Sequence, residues 1–131
     1  VALLGNGRPA ILPTCEVLLG HCDGIPFFSR EYKTMDTDRL DMHPSIFPET
    51  LRSMESDSLR LWEALGLKDY ARLDFRTDSN GTPFFLEINA LPGLSPVSGI
   101  FVRQAAAYGI EYDALIEKIM ERTLRSMGIM T

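Results

Sequence analysis

The residues with the most chemistry to offer lie between positions 70 and 98, in YARLDFRTDSNGTPFFLEINALPGLSPVS. Two runs of strand-forming residues flank Asn80-Gly81, a dipeptide that favours a two-residue hairpin turn. With Asn80 and Gly81 as the turn, Ser79 faces Thr82 and the pairing runs down the hairpin in a fixed register. Asp74 then stands opposite Glu87, and Arg72 opposite Asn89. The alternate positions pair Phe75 with Leu86, Leu73 with Ile88 and Ala71 with Ala90. Strand side chains alternate, so this one register gathers polar groups on one face and apolar groups on the other.

Two carboxylates facing each other across a ladder repel. A hard divalent cation removes the objection, because Mg²⁺ takes oxygen ligands, commonly one or two carboxylates with phosphate oxygens and water. The spacing therefore allows a metal–phosphate site of Asp74, Glu87 and Asn89, flanked by Arg72. It equally allows an exposed polar sheet face on which Arg72 and Arg76 neutralise the acids. The repulsion predicts that removing Asp74 leaves the melting temperature unchanged or raised.

Several elements must position these groups. Residues 1–4 and 11–19 are apolar runs joined by Gly5-Asn6-Gly7-Arg8-Pro9, a predicted hairpin. Glu16 interrupts the second run and reads as a residue on a solvated face. Residues 20–48 are irregular, punctuated by Gly24, Pro26, Pro44 and Pro48. Phe27 and Phe28 read as core there, and His43 as structural. Residues 48–65 read as a helix, with proline in the first turn, Glu49 at its positive end and Gly66 as the stop. Leu51, Met54, Leu61, Trp62 and Leu65 make its apolar stripe. After the hairpin comes a loop in which Ser98 can cap the next helix. Residues 99–108 and 111–127 read as two packing helices, the second with Tyr112, Leu115, Ile116, Ile119, Met120, Leu124 and Met127 as its buried stripe.

The fold class is α+β, an antiparallel sheet with packed helices. The chain has 131 residues, 45% hydrophobic and 24% charged, which suits one globular domain. A net charge of −5 argues against a nucleic-acid backbone as partner. No segment is apolar and long enough to span a membrane, and no signal peptide is visible, so the expectation is a cytoplasmic protein. Cys15 and Cys22 then read as reduced thiols, rather than as a soft-metal site with His21.

ARLDF followed by FFLEINALPGLSPVS resembles the C-terminal half of the ATP-grasp domain of D-alanine–D-alanine ligases. The most specific part is R-x-D … E-x-N-x-x-P-G. VALLGN…ILPTCEV, the EYK segment, GLKDYARLD and AAAYGIEYDALIEKIMER resemble the same family, so the likeness covers nearly the whole chain. It implies that residues 1–131 are a single domain, the C-terminal portion of a longer ligase. The opening residues, which read as a strand already in progress, fit a chain whose N-terminal domain and first ATP-grasp half lie upstream.

The resemblance also implies the chemistry. ATP would phosphorylate a carboxylate to an acyl phosphate, and an amine would attack the acyl carbon, a step of peptidoglycan biosynthesis in this family. Two Mg²⁺ ions, with Mn²⁺ able to substitute, would align the phosphoryl oxygens. Asp74 would hold one ion, Glu87 would bridge, and Asn89 would complete the second. Lys33 would contact ATP phosphates, Arg72 and the Gly93 N–H would steady the tetrahedral oxyanion, and Ser98 would hold the second substrate's carboxylate. The partners implied are ATP, small amino acids and the upstream half of the same enzyme. Strand edges left open in a half-domain would also permit a homodimer. Three departures put the substrate in question. Thr34 stands where an aromatic residue is common, Val97 where histidine is, and Gly99 where leucine is. Two alternatives therefore stand beside the ligase: an ATP-grasp enzyme joining other substrates, and a non-catalytic domain that binds a divalent ion or a partner through the same sheet face.

Overall fold

The computed structural model describes residues 1–18 and 40–130. Its main sheet has four antiparallel strands in the order β2-β1-β5-β6. β1 is Ala2–Leu4, β2 Ala10–Leu12, β5 Tyr70–Thr77 and β6 Pro83–Asn89. A second, two-stranded sheet pairs β3 (Glu16–Val17) with β4 (Leu40–Asp41). Three helices complete the described chain: α1 (Pro48–Ala64), α2 (Ile100–Ala107) and α3 (Tyr112–Ser126).

β1 lies in the middle of the sheet and is apolar on both faces, so it separates two cores. Ala2 and Leu4 face Phe101, Val102 and Ala105 of α2 and Leu115 and Ile119 of α3. Val1, Leu3, Ala71 and Leu73 face Met54 and Trp62 of α1. The result is three layers, with the strand that carries Asp74 clamped from below by a fully buried leucine. Leu73 is 0% exposed, and truncating it to alanine would cost roughly 3 kcal/mol in transfer and cavity terms.

α1 begins with Pro48, carries Glu49 in its first turn and stops before Gly66, whose φ of 61° lies in the left-handed region. Its buried ridge is Thr50, Met54, Ser58 and Trp62, spaced four apart. The small polar members are satisfied locally: Ser58 donates to the Met54 carbonyl at 2.7 Å, and Thr50 to the Gly81 carbonyl at 2.6 Å. Trp62 is an anchor, its indole N–H donating to the Gly7 carbonyl at 3.2 Å. Leu65 falls outside the expected stripe at 58% exposure, because the helix has already ended. Met120 and Met127 of the last predicted stripe are likewise exposed, and α3 buries only Leu115 and Ile119 fully.

The second apolar run does not continue to residue 19 as one strand. It leaves the sheet at Leu12 because Pro13 has no N–H to give a ladder. The Pro13 carbonyl instead accepts from buried Gln104 of α2 at 2.8 Å. Glu16 is exposed, as expected, and pairs across from Asp41 in the small sheet.

The β5–β6 hairpin differs from the expected register at its tip. The loop has three residues, Ser79, Asn80 and Gly81, closed by Asp78 N–H to the Thr82 carbonyl at 3.1 Å and Gly81 N–H to the Asp78 carbonyl at 3.0 Å. A two-residue type I′ turn needs positive φ at both central residues, and here only Gly81 has it, at 81°. The Asp78 carboxylate decides the matter by accepting from the N–H groups of Asn80 at 2.9 Å and Thr82 at 2.8 Å. Phe75 consequently pairs with Phe85, not with Leu86. An irregularity between Asp74 and Phe75 absorbs Leu86 as a β-bulge and restores Asp74 opposite Glu87, Leu73 opposite Ile88 and Arg72 opposite Asn89. The ladder ends there, with Ala90 already out of the strand rather than paired with Ala71.

Candidate functional site

Below the bulge, four polar side chains share one face of two adjacent strands. Arg72 and Asp74 are two apart on β5 and therefore point the same way. Arg72 Nε donates to Asp74 Oδ1 at 2.7 Å and Nη2 to Oδ2 at 2.8 Å, a two-pronged pair. The pair is largely sheltered, with side-chain exposures of 13% for Arg72 and 25% for Asp74. Across the ladder, Asn89 Nδ2 lies 3.3 Å from both Asp74 Oδ2 and Glu87 Oε1.

Burial, the largest influence on Arg72, pulls its pKa down, but the hydrogen bond and charge of Asp74 more than offset it. The net shift is upward, with Glu87 adding to it. The expected bare repulsion between Asp74 and Glu87 is thus not what the face contains. Arg72 stands beside Asp74 and neutralises it, and Asn89 bridges the two acids.

This oxygen-rich set fits a hard divalent cation. A carboxylate oxygen can accept more than one contact. Arg72 uses one on each Asp74 oxygen and Asn89 a second on Oδ2, while Glu87 Oε1 accepts from Asn89. Rotating the Asn89 amide by half a turn would present its oxygen in place of its nitrogen. Among the described residues, no group of three or more His, Cys, Asp or Glu side chains converges. A metal here would thus need Asn89 and ligand oxygens to complete its shell. Cys15 also lies within electrostatic reach of Arg72 and Asp74; burial dominates and holds its thiol pKa above the ordinary value, which keeps it protonated and unreactive at neutral pH.

Gly93 and Ser98 lie on the loop between β6 and α2. Ser98 does not cap α2 as expected. The cap position is Gly99, and no side chain caps the helix. Instead, Ser95 organises the loop. Its Oγ lies 3.2 Å from the Ser98 N, 3.4 Å from the Val97 N and 3.1 Å from the Ser98 hydroxyl. Its carbonyl accepts the Gly99 N–H at 2.9 Å. The signal that could have found Ser95 was present, since Ser-Pro favours turn initiation. Lys33 and Thr34 lie outside the described residues, as do Phe27, Phe28, His21 and Cys22.

A groove of about 970 Å³ runs between the β1–β2 turn and the C-terminal ends of α1 and α3, lined by Arg8, Leu59, Trp62, Lys68 and Arg122 among others. It shares no residue with the Asp74 face and has no paired acids to offer, so the chemistry points to the sheet face and not to this groove. No described helix is long and apolar enough to cross a membrane.

Comparison with known proteins gives the family. The family model for the D-ala D-ala ligase C-terminus matches residues 1–121. The D-alanine–D-alanine ligase of Pelotomaculum thermopropionicum is 32% identical over 128 residues, which is 98% of this chain and 39% of that protein. An uncharacterized protein of Sinorhizobium fredii is 36% identical over 126 residues, covering 92% of this chain and 36% of its own length. The structure of the D-alanine–D-alanine ligase from Bacillus anthracis complexed with ATP superimposes with a TM-score of 0.65 at 25% identity, over 95% of this chain and 38% of that one. The chain therefore spans well under half the length of the relatives it matches. The match over residues 1–121, nearly the whole chain, shows that the chain belongs to the D-alanine–D-alanine ligase C-terminal family.

Proposed function

We propose that this chain is the catalytic C-terminal portion of an ATP-dependent ligase that joins two small amino acids of the D-alanine type. The observation that carries the reading is the joining of Arg72, Asp74, Glu87 and Asn89 on one sheet face of a chain in this family. Asp74, Glu87 and Asn89 would hold two Mg²⁺ ions, or Mn²⁺ in their place. When bound, such ions neutralise and align phosphoryl oxygens.

The chain's own residues do the rest. Arg72 is kept protonated by Asp74 and is sheltered, so it offers a fixed positive charge where an oxyanion develops. The Gly93 N–H would add a donor to that oxyanion, since glycine lets the backbone come close to a ligand. Lys33 would contact the ATP phosphates and Ser98 the acceptor's carboxylate. ATP would pass its terminal phosphoryl group to one substrate carboxylate, giving an acyl phosphate, and the second substrate's amine would displace phosphate. The nucleotide's remaining grip and the first substrate's pocket would come from the rest of the enzyme, in the cytoplasm where ATP is made.

A second reading, that the acceptor is not D-alanine, is favoured by the loop. Val97 is 76% exposed, and a Cβ built at Gly99 would lie 2.6 Å from the Ser95 carbonyl oxygen. The loop in this conformation has no room for a leucine there.

The test is amino-acid-dependent ADP release by the full-length enzyme. Wild type should release ADP with D-alanine and Mg²⁺, or with another amino acid on the second reading. Glu87→Gln should raise the Mg²⁺ needed for half-maximal rate at least about tenfold, because a metal-bridging charge is lost. ADP release by Glu87→Gln at the wild-type Mg²⁺ requirement would remove the metal role, and no ADP release from wild type with any amino acid pair would remove the ligase.

A further inference from the structure

The loop from Gly93 to Gly99 carries two groups that the proposed ligation needs, yet neither is held by the sheet or by a helix. Ser98 is held instead by Ser95, a residue with no part in the ligation as proposed above. Ser95 Oγ meets the Val97 N–H at 3.4 Å, the Ser98 N–H at 3.2 Å and the Ser98 hydroxyl at 3.1 Å. The Ser95 carbonyl accepts from Gly99 N–H at 2.9 Å. One residue thus holds three of the next four. Gly99 is the other half of the arrangement. A Cβ there would fall 2.6 Å from the Ser95 carbonyl oxygen and 2.9 Å from the Gly93 carbonyl oxygen, closer than real Cβ atoms come. The loop folds back on Gly99 so tightly that Gly93 and Ser95 both touch the same backbone.

We propose that Ser95 is a positioning residue for the acceptor end of the site, setting the Ser98 hydroxyl as a donor, and that Gly99 is the seat on which the loop closes. The inference rests on the ligase reading for the role of Ser98. A hydroxyl has one donor and two acceptor lone pairs. Three donors, the Val97 and Ser98 N–H groups and the Ser98 hydroxyl, share the two lone pairs of Ser95 Oγ. Without substrate, the Ser98 hydroxyl therefore donates to an acceptor that is already oversubscribed. When a carboxylate arrives, the pair reverses: Ser98 O–H turns to the carboxylate and Ser95 O–H donates to Ser98 Oγ. A hydroxyl that accepts one bond while donating another is a better donor, because hydrogen bonds in a chain polarise one another. Ser95 therefore both places Ser98 and strengthens it, without itself touching substrate.

The test compares Ser95→Ala with Ser95→Thr in the full-length enzyme. Ser95→Ala should raise the acceptor KM roughly tenfold, the size of one lost hydrogen bond, while leaving the KM for ATP within about twofold. Ser95→Thr keeps the hydroxyl and should restore the acceptor KM. A general loss of fold would move both KM values and would not be rescued by threonine. Amide hydrogen exchange at Val97 and Ser98 reads the loop without needing activity: both should exchange roughly tenfold faster in Ser95→Ala and at the wild-type rate in Ser95→Thr. Unchanged exchange in Ser95→Ala overturns the loop argument even in a protein that ligates nothing. Faster exchange with an unchanged acceptor KM overturns the link to the acceptor.

Discussion

Asp74 and Asp78 are four residues apart along one strand and its turn, and they are held in opposite ways. Asp78 is bound by its own neighbours, accepting the N–H groups of Asn80 and Thr82 at 2.9 and 2.8 Å. Asp74 is bound by other side chains, Arg72 on its strand and Asn89 across the ladder, and it faces a second acid, Glu87. The tip of the hairpin is therefore closed mainly by its own residues, with Thr50 of α1 donating to the Gly81 carbonyl. The base brings together two acids that a stable sheet would keep apart, and needs a guanidinium and an amide to tolerate them. Between the two lies the Leu86 bulge, where the register changes. Turn chemistry explains one aspartate completely. The other faces Glu87 with Arg72 and Asn89 as its partners, and the proposed metal role would account for that pairing.

The sharpest way to break this contrast is Asp74→Ala. If the base is a phosphate and metal site, ligation in the full-length enzyme should fall by roughly 100- to 1000-fold. Stability should fall too, contrary to the gain that carboxylate repulsion alone predicts. Arg72 is 13% exposed and spends both prongs on Asp74, so the substitution strands a sheltered guanidinium at a cost of about 1–3 kcal/mol. Steady-state rates and a urea melt check the two halves. A full-rate Asp74→Ala enzyme would put Asp74 in the same structural class as Asp78.

Gly81→Ala tests the other end and should do the reverse. Gly81 has φ of 81°, and an added Cβ would lie 2.7 Å from Phe47 Cδ2 and 3.2 Å from Thr50 Oγ1. Phe47 is 58% exposed and can swing away, so the backbone conformation sets most of the cost, roughly 1–2 kcal/mol. Ligation at a temperature where the protein stays folded should remain within about twofold, because the bulge separates the tip from the base. A loss of rate larger than the loss of stability would mean the hairpin transmits its tip geometry to the site.

Much of this was legible in the chain. Alternation in RLDF and FLEIN put Arg72, Asp74, Glu87 and Asn89 on one face, and the structure has them there. Helical periodicity found α1, α2 and α3 to within a residue or two. What was not legible came from groups that compete for the same backbone. Asn-Gly signals a two-residue turn, but Asp78 captured two N–H groups and lengthened the loop by one. A shift of one residue at the tip would have turned the acids to the wrong faces, and Leu86 absorbed it. That compensation is a property of the folded ladder and leaves no mark in composition or period. The role of Ser95 was hidden for a similar reason: a serine before a proline suggests a turn, and only coordinates show its hydroxyl meeting two amides and another hydroxyl.

The smallest effect distinguishes the two aspartates by titration. The Asp78 pKa is lowered from the ordinary aspartate value, first by the Thr82 backbone N–H, against an opposing effect of desolvation, with the Asn80 N–H adding to the lowering. A carboxylate whose folded pKa is depressed contributes stability above its unfolded pKa, and that contribution is lost as pH falls through the folded value. The loss therefore belongs below about pH 4, the ordinary aspartate value. Asp78→Asn keeps an acceptor oxygen but removes the charge. It should melt lower than wild type at pH 6, and the gap should narrow by pH 3, because below about pH 4 wild type begins to protonate the same group. Melting curves at the two pH values read the difference, and the Mg²⁺ requirement of Asp78→Asn should match wild type. A gap between the two proteins that is undiminished at pH 3 would mean that the Asp78 charge is not what closes the tip. A raised Mg²⁺ requirement would mean the tip and the base are one site, and the distinction between the two aspartates would fail.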